Sequence, residues 1–225
     1  MESRLSDIER YLAYFEEELE RIKSLESTLY SKILIYSIID CISRTLNLSK
    51  SNHKKFVKYI EEVANWDGSN KVSLIQLYWN LQEEPKLITN KLCRYIKSRL
   101  VNVINTKGSI LSLNIDEIDL HEQELVQFIE DDSEIKKIKN AKHSELLYIY
   151  RNHLIHEFRI PGYGFERNAS SPFYSFGFRR YELVYPKQFL LNLVCESLPI
   201  IKDYYIVNQI NPLESYDFSS LWNIT

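Results

Sequence analysis

A mainly helical fold follows from three features of the sequence. Five glycines and six prolines in 225 residues leave few places for tight turns. Long runs free of both, above all Ser3 to Leu46, carry apolar residues three and four positions apart, the spacing of one helix face. Good helix formers, Leu, Ile, Glu and Lys, are plentiful throughout. The 44% of hydrophobic residues suffices for a sizeable core, and the length fits one compact domain, residues 1–225.

Leu5, Ile8, Leu12, Phe15, Leu19, Ile22, Leu25 and Leu29 form the first amphipathic seam. Acidic Glu16-Glu17-Glu18 belongs on a wet surface and Leu34 to Ile39 is nearly all apolar, so the run is two helices or one long bent one, with a buried second half. Leu48 to Asn52 breaks it with capping residues, and Phe56, Tyr59, Ile60 and Val63 mark a helix to about Asn65. After a turn at Trp66-Asp67-Gly68, the pattern returns from Val72 to Gln82 and closes at Pro85. A helix is expected from Leu87 to Val103, and a loop or short extended segment from Asn105 to Asp119. Asp132 to Phe158 has no Gly or Pro and reads as a helix ending just before Pro161-Gly162. Phe173–Phe176 and Tyr181–Tyr185 suit a β-hairpin within 172–185 that needs helices to pack on. Pro186 starts a last helix, which Pro199 is expected to kink or interrupt, and the tail from Asn211 is expected to be irregular.

A net charge of −3 gives no global affinity for polyanions, so any nucleic-acid contact has to be local. One such patch stands out: Pro85 to Ile115 contains no Asp or Glu but six Lys and Arg, and Lys91, Arg94 and Lys97 recur at helical steps that would track phosphates. The same pattern also fits a solvated helix face. Arg179 and Arg180, among the hairpin aromatics, and Arg159 after the expected helix are further RNA-binding candidates. Three widely spaced cysteines read as reduced thiols in a cytosolic core. The charged N-terminal stretch and the lack of a run of ~18 apolar residues indicate neither a signal peptide nor a membrane span, so a cytoplasmic location is expected. His121-Glu122 lacks the second histidine of a zinc-protease helix, and His153-x-x-His156-Glu157 lacks a recognisable further ligand, so no metal site is assigned. No phosphate-binding glycine loop or serine elbow occurs.

The densest group of reactive side chains is Tyr150 to Arg159. Asn152 and His156 are four residues apart on one helix face, where the amide would orient the imidazole. Arg151 and His156 are five apart, roughly 140° around the axis and about 7.5 Å along it, so one straight helix would not aim both at one atom. A second helix, or a second copy of this one, is expected to complete the site.

Arg151-Asn152-x3-His156, on a helix and preceded by Leu147-Tyr148-x-Tyr150, resembles the R-x4-6-H motif of the HEPN superfamily, whose members often carry a polar residue after the arginine. The resemblance covers about residues 25–60 and 135–207; residues 85–131 map poorly and read as an insertion. It implies a helical bundle, here with a small β-hairpin inserted before the last helix, that forms a homodimer with two motif helices facing each other. It further implies a metal-independent endoribonuclease needing no cofactor, with His156 as general acid or base, Arg151 stabilising phosphate charge and Asn152 beside them. Use of the 2′-hydroxyl would confine this hydrolase to RNA. A role in toxin-antitoxin or defence systems, with an antitoxin or other protein partner, belongs to the same implication. The alternative is a non-catalytic HEPN-like dimerisation or partner-binding module in which Arg151 and His156 are structural.

Overall fold

The computed structural model describes residues 2–107, 111–162, 164–177 and 180–215. The chain is mainly helical with small antiparallel sheets. It divides into two compact units, residues 1–65 with 190–225 and residues 66–189.

The first unit begins with α1 (Glu2–Lys23) and α2 (Thr28–Thr45). They are separate helices because Ser27 is extended and its hydroxyl accepts from the Tyr30 N–H, giving the second helix its own N-cap. Ile8, Leu12, Phe15, Leu19 and Ile22 of the expected seam are buried. α3 (Asn52–Lys58), capped by Ser51, runs on through a π-helical turn, Tyr59–Val63, whose i→i+5 bond joins the Ala64 N–H to the Tyr59 carbonyl. The last long helix, α10 (Lys187–Val207), lies in this unit from Leu190 onward. Of the expected kink or interruption at Pro199 there is no interruption, since the helix runs through it. Leu198, Ile201 and Tyr205 are buried around the missing N–H bond, and Tyr205 and Ser197 hydrogen-bond to Thr45 (2.5 Å) and Tyr59 (2.7 Å).

In the second unit, β1 (Lys71–Val72) leads into α4 (Leu74–Gln82), which Ser73 caps through the Gln76 N–H. α5 (Lys91–Lys107) carries the basic stretch. Within Asn105 to Asp119, expected as a loop or short extended segment, lie the short strand β2 (Ser112–Asn114) and a helical turn, α6 (Ile115–Ile118); β3 (Leu120–His121) and α7 (Glu122–Leu125) follow it. The hairpin forms as expected, β4 (Phe173–Gly177) against β5 (Arg180–Val184), and β2 adds a third antiparallel strand with Leu113 opposite Tyr174. β1 pairs with β3. Leu74, Leu77, Leu81, Leu92, Ile96 and Ile138 belong to the core beneath these elements.

The stretch expected as one helix from Asp132 is two: α8 (Asp132–Asn140) and α9 (His143–His156). Lys142 is extended and bridges Val72, while the Ala141 carbonyl accepts from the Ser73 N–H at 2.9 Å. A pairing with the distant Val72–Ser73 backbone thus breaks a run that contains no glycine or proline. Asp131 and Glu134 start α8 with a reciprocal capping box.

Candidate active site

α9 owes its placement to a buried polar cluster at its first residue. His143 is fully buried; its Nε2 lies 2.8 Å from Asp119 Oδ2 and its Nδ1 lies 2.8 Å from the Tyr185 hydroxyl. A carboxylate only accepts, so Nε2 carries the ring proton. Asp119 also accepts from the Leu74 N–H (3.0 Å) and meets the Tyr174 hydroxyl (2.8 Å), which has Ser73 Oγ at 2.7 Å as well. One carboxylate thereby joins the starts of α4 and α9 to the central strand of the sheet. Trp66 stands edge-on to His143, and burial, followed by the Asp119 charge, pushes the Tyr174 and Tyr185 phenols well up.

The other end of α9 carries the motif. The helix stops at His156, short of the expected end before Pro161, because Phe158 takes the left-handed conformation at φ 52°. The N–H groups of Glu157 and Arg159 turn back to the His153 carbonyl, the closure of a left-handed helix end. Arg151 and His156 converge: Arg151 Nη1 lies 3.1 Å from His156 Nε2. This corrects the expectation that a second helix is needed to bring the two together. The arginine stem is long enough to span the angle, and His156 sits on the last turn, where no following turn screens the ring. Asn152 behaves differently from expectation as well, since its Oδ1 accepts from Arg151 Nη1 (3.1 Å) and the amide orients the guanidinium instead of the imidazole. His156 is exposed, whereas Arg151 and Asn152 are half-buried.

A guanidinium has only donors, so in this geometry His156 Nε2 accepts and the neutral ring carries its proton on Nδ1. Beside the pair, His153 Nδ1 lies 2.7 Å from Glu157 Oε1 and 3.1 Å from Arg159 Nη2. One ring nitrogen serves a carboxylate or a guanidinium, not both, and the shorter contact is with Glu157. The Arg159 guanidinium, with His153 behind it, holds the Glu157 carboxyl below the usual range. Arg159 is therefore engaged at the end of α9, its Nε 2.6 Å from Glu157 Oε2.

The remaining candidates fall into two groups. Lys91 turns to Glu130 (Nζ to Oε1 3.4 Å), whose carboxyl also accepts from the Lys91 N–H, and Arg94 belongs to the same electrostatic neighbourhood. Lys97 and Arg180 instead line one apolar cleft together with Trp79 and Tyr181. Arg179 lies outside the described residues. Among the described residues no group of three or more His, Cys, Asp or Glu is placed to hold a metal ion, and Cys41, Cys93 and Cys195 are free thiols. No helix of the described residues is long and apolar enough to cross a membrane.

Sequence reasoning did not find a cavity of about 620 Å3 in the second unit, bounded by α4, α9 and the β4–β5 hairpin. Ser73, Tyr174 and Tyr185 of the buried cluster reach its wall, as do Tyr150 and His153 of α9. Burial pushes the Tyr150 phenol up, keeping it a neutral hydroxyl. The one local sign of this space was the Pro161-Gly162 turn, where Gly162 takes φ 75° against Glu182.

No family model, no curated protein and no solved structure matches this chain.

Proposed function

We propose that this chain is a HEPN-like, metal-independent RNA endonuclease whose reacting groups are Arg151 and His156. The observation that carries the reading is the 3.1 Å contact between Arg151 Nη1 and the Nε2 of an exposed His156. It joins a fixed positive charge to a basic nitrogen at an open helix end, the two functions that phosphodiester cleavage needs. The Nε2 lone pair is already the accepting one, the state required of a general base.

In this mechanism a phosphate draws the Arg151 guanidinium from the ring to its own oxygens, and Nε2 takes the proton of the neighbouring ribose 2′-hydroxyl. The 2′-oxygen bonds to phosphorus as the bond to the 5′-oxygen breaks, leaving a cyclic phosphate on one fragment. The departing 5′-oxygen takes a proton from the imidazolium form of the same side chain in a second copy, which returns to a neutral ring. Asn152 holds the guanidinium in register. Lys97 contacts the strand beyond the cut, while Arg180 is held by Glu182 and Trp79 and Tyr181 offer stacking surfaces. RNA and a second copy of the chain are the partners of this reading, and a toxin or defence role with a protein antagonist is its biological extension.

The test is cleavage of an unstructured RNA with excess EDTA present. Wild type cuts; Arg151→Ala and His156→Ala each lose about 10²-fold or more in rate, the scale of a general acid-base or charge-stabilising group. Cleavage that survives both substitutions overturns the proposal, and sedimentation equilibrium of the same samples reports the two-copy state.

A further inference from the structure

We infer that the cavity beside α9 is the subsite that receives the nucleobase next to the scissile phosphate. The inference rests on the nuclease reading for the word scissile. The recognition of a base rests on the cavity itself.

At about 620 Å3 the cavity lies in the range of small-ligand sites. Its walls suit a flat, neutral, hydrogen-bonding ring. Trp79 is 47% exposed although it lines the cavity, and Tyr181 stands on the same side. An indole left this open within a concave site offers a face for stacking. Around the rings are the amides of Gln76 and Gln82. Gln76 spends one N–H on Asn80 (2.8 Å) and Gln82 one on Cys93 Sγ (3.2 Å). Each amide thereby keeps a second N–H and a carbonyl, the paired donor and acceptor that match a base edge.

Acidic side chains outnumber basic ones in the cavity wall. Arg180 meets Glu182 Oε1 with Nε and Nη2, both at 2.7 Å, so its positive charge is answered within the wall. Glu83 is the other acidic residue there. A phosphate gains nothing inside such a lining, whereas an uncharged heterocycle loses little by leaving water for amides, hydroxyls and an indole.

Position ties the cavity to the motif. Leu146, Ile149 and His153 are the α9 residues along one stripe of its wall, and His156 is the next residue of that stripe, ~4.5 Å further along the axis than His153. A base seated between Trp79 and the glutamines therefore has its sugar and phosphate directed toward the end of α9, where Arg151 and His156 meet. The His153–Glu157 pair forms the rim between the two.

The experiment is isothermal titration of the full chain with the four nucleoside 3′-monophosphates, with ribose 5-phosphate as the base-free probe. The expected result is that at least one nucleotide binds well above ribose 5-phosphate. Trp79→Ala, at an exposed residue, and Gln76→Leu, at a half-buried one, then weaken that nucleotide about 10-fold, the scale of one lost stacking contact or base-edge bond. Nucleotides that bind no tighter than ribose 5-phosphate, or an affinity that neither substitution changes, overturn the inference. The two readings fail separately. Nucleotide binding that depends on Trp79, in a protein that cuts no RNA, removes the nuclease and leaves the base site. RNA cleavage in a protein that binds no nucleotide removes the base site alone.

Discussion

Asp119→Ala strips out the acceptor on which the placement of α9 depends, and the structure fixes the size of the effect. Three buried groups converge on this carboxylate: the Leu74 N–H, the His143 Nε2–H and the Tyr174 hydroxyl. Tyr174 retains Ser73 Oγ at 2.7 Å as an alternative acceptor, so two donors are orphaned. An unsatisfied buried donor costs about 1–3 kcal/mol, and water entering from the adjoining cavity softens the pair toward about 2–4 kcal/mol in total. That is a large share of the roughly 5–15 kcal/mol that holds a typical domain folded. Asp119→Asn is expected to cost less, about 1 kcal/mol. Its amide keeps one oxygen for Leu74, and His143 can accept from the new NH2 by moving its ring proton to Nδ1, where the Tyr185 oxygen receives it. Equilibrium urea unfolding at neutral pH measures both variants. An alanine variant within 1 kcal/mol of wild type, or an asparagine variant as damaged as the alanine one, refutes the reasoning.

Other substitutions probe the parts around the site. Gly162→Ala is expected to cost about 1–2 kcal/mol in the same urea assay, because φ is 75° and a Cβ would lie 2.8 Å from Glu182 Oε2; an unchanged midpoint contradicts this. Glu130 accepts the Lys91 N–H, which, with the Lys91 ammonium, holds its carboxyl below the usual carboxylate range in the folded state. Its contribution is complete above the unfolded value and lost as pH falls through the depressed folded one, so wild type should lose stability faster than Glu130→Gln between pH 5 and 3. Parallel curves would remove that assignment. Burial pushes the Cys93 thiol up, so iodoacetamide at pH 8 should leave Cys93 unmodified until the chain is unfolded, as read by mass spectrometry of the peptides. Fast native labelling of Cys93 contradicts its place in the core.

The helices were legible in the sequence wherever their cause is local. Apolar spacing marked α1 and α2, and Ser51, within the capping stretch Leu48 to Asn52, caps α3. The break between α8 and α9 was not legible, because Ala141 and Lys142 are ordinary helix residues and only the distant Val72–Ser73 backbone turns them out of the helix. The two-residue strands β1 and β3 are too short to show alternation. In the site, composition and spacing singled out Arg151 and His156, but helical angles alone kept them apart, since they follow Cβ directions and ignore the reach of a guanidinium. The Asp119–His143–Tyr185 cluster joins residues 24 and 42 positions apart. Its one local sign is an aspartate among Ile115, Ile118 and Leu120, a buried setting in which a carboxylate requires partners.

The sharpest test of the central claim is a pair of oligonucleotides, one all RNA and one carrying a single 2′-deoxy sugar at the mapped cut, incubated in EDTA with wild type and with His156→Ala. The account predicts a cut in the first by wild type only, ending in a cyclic phosphate, and an intact second strand. Cleavage at the deoxy position, or equal cleavage by His156→Ala, contradicts a 2′-hydroxyl attack driven by the Arg151–His156 pair.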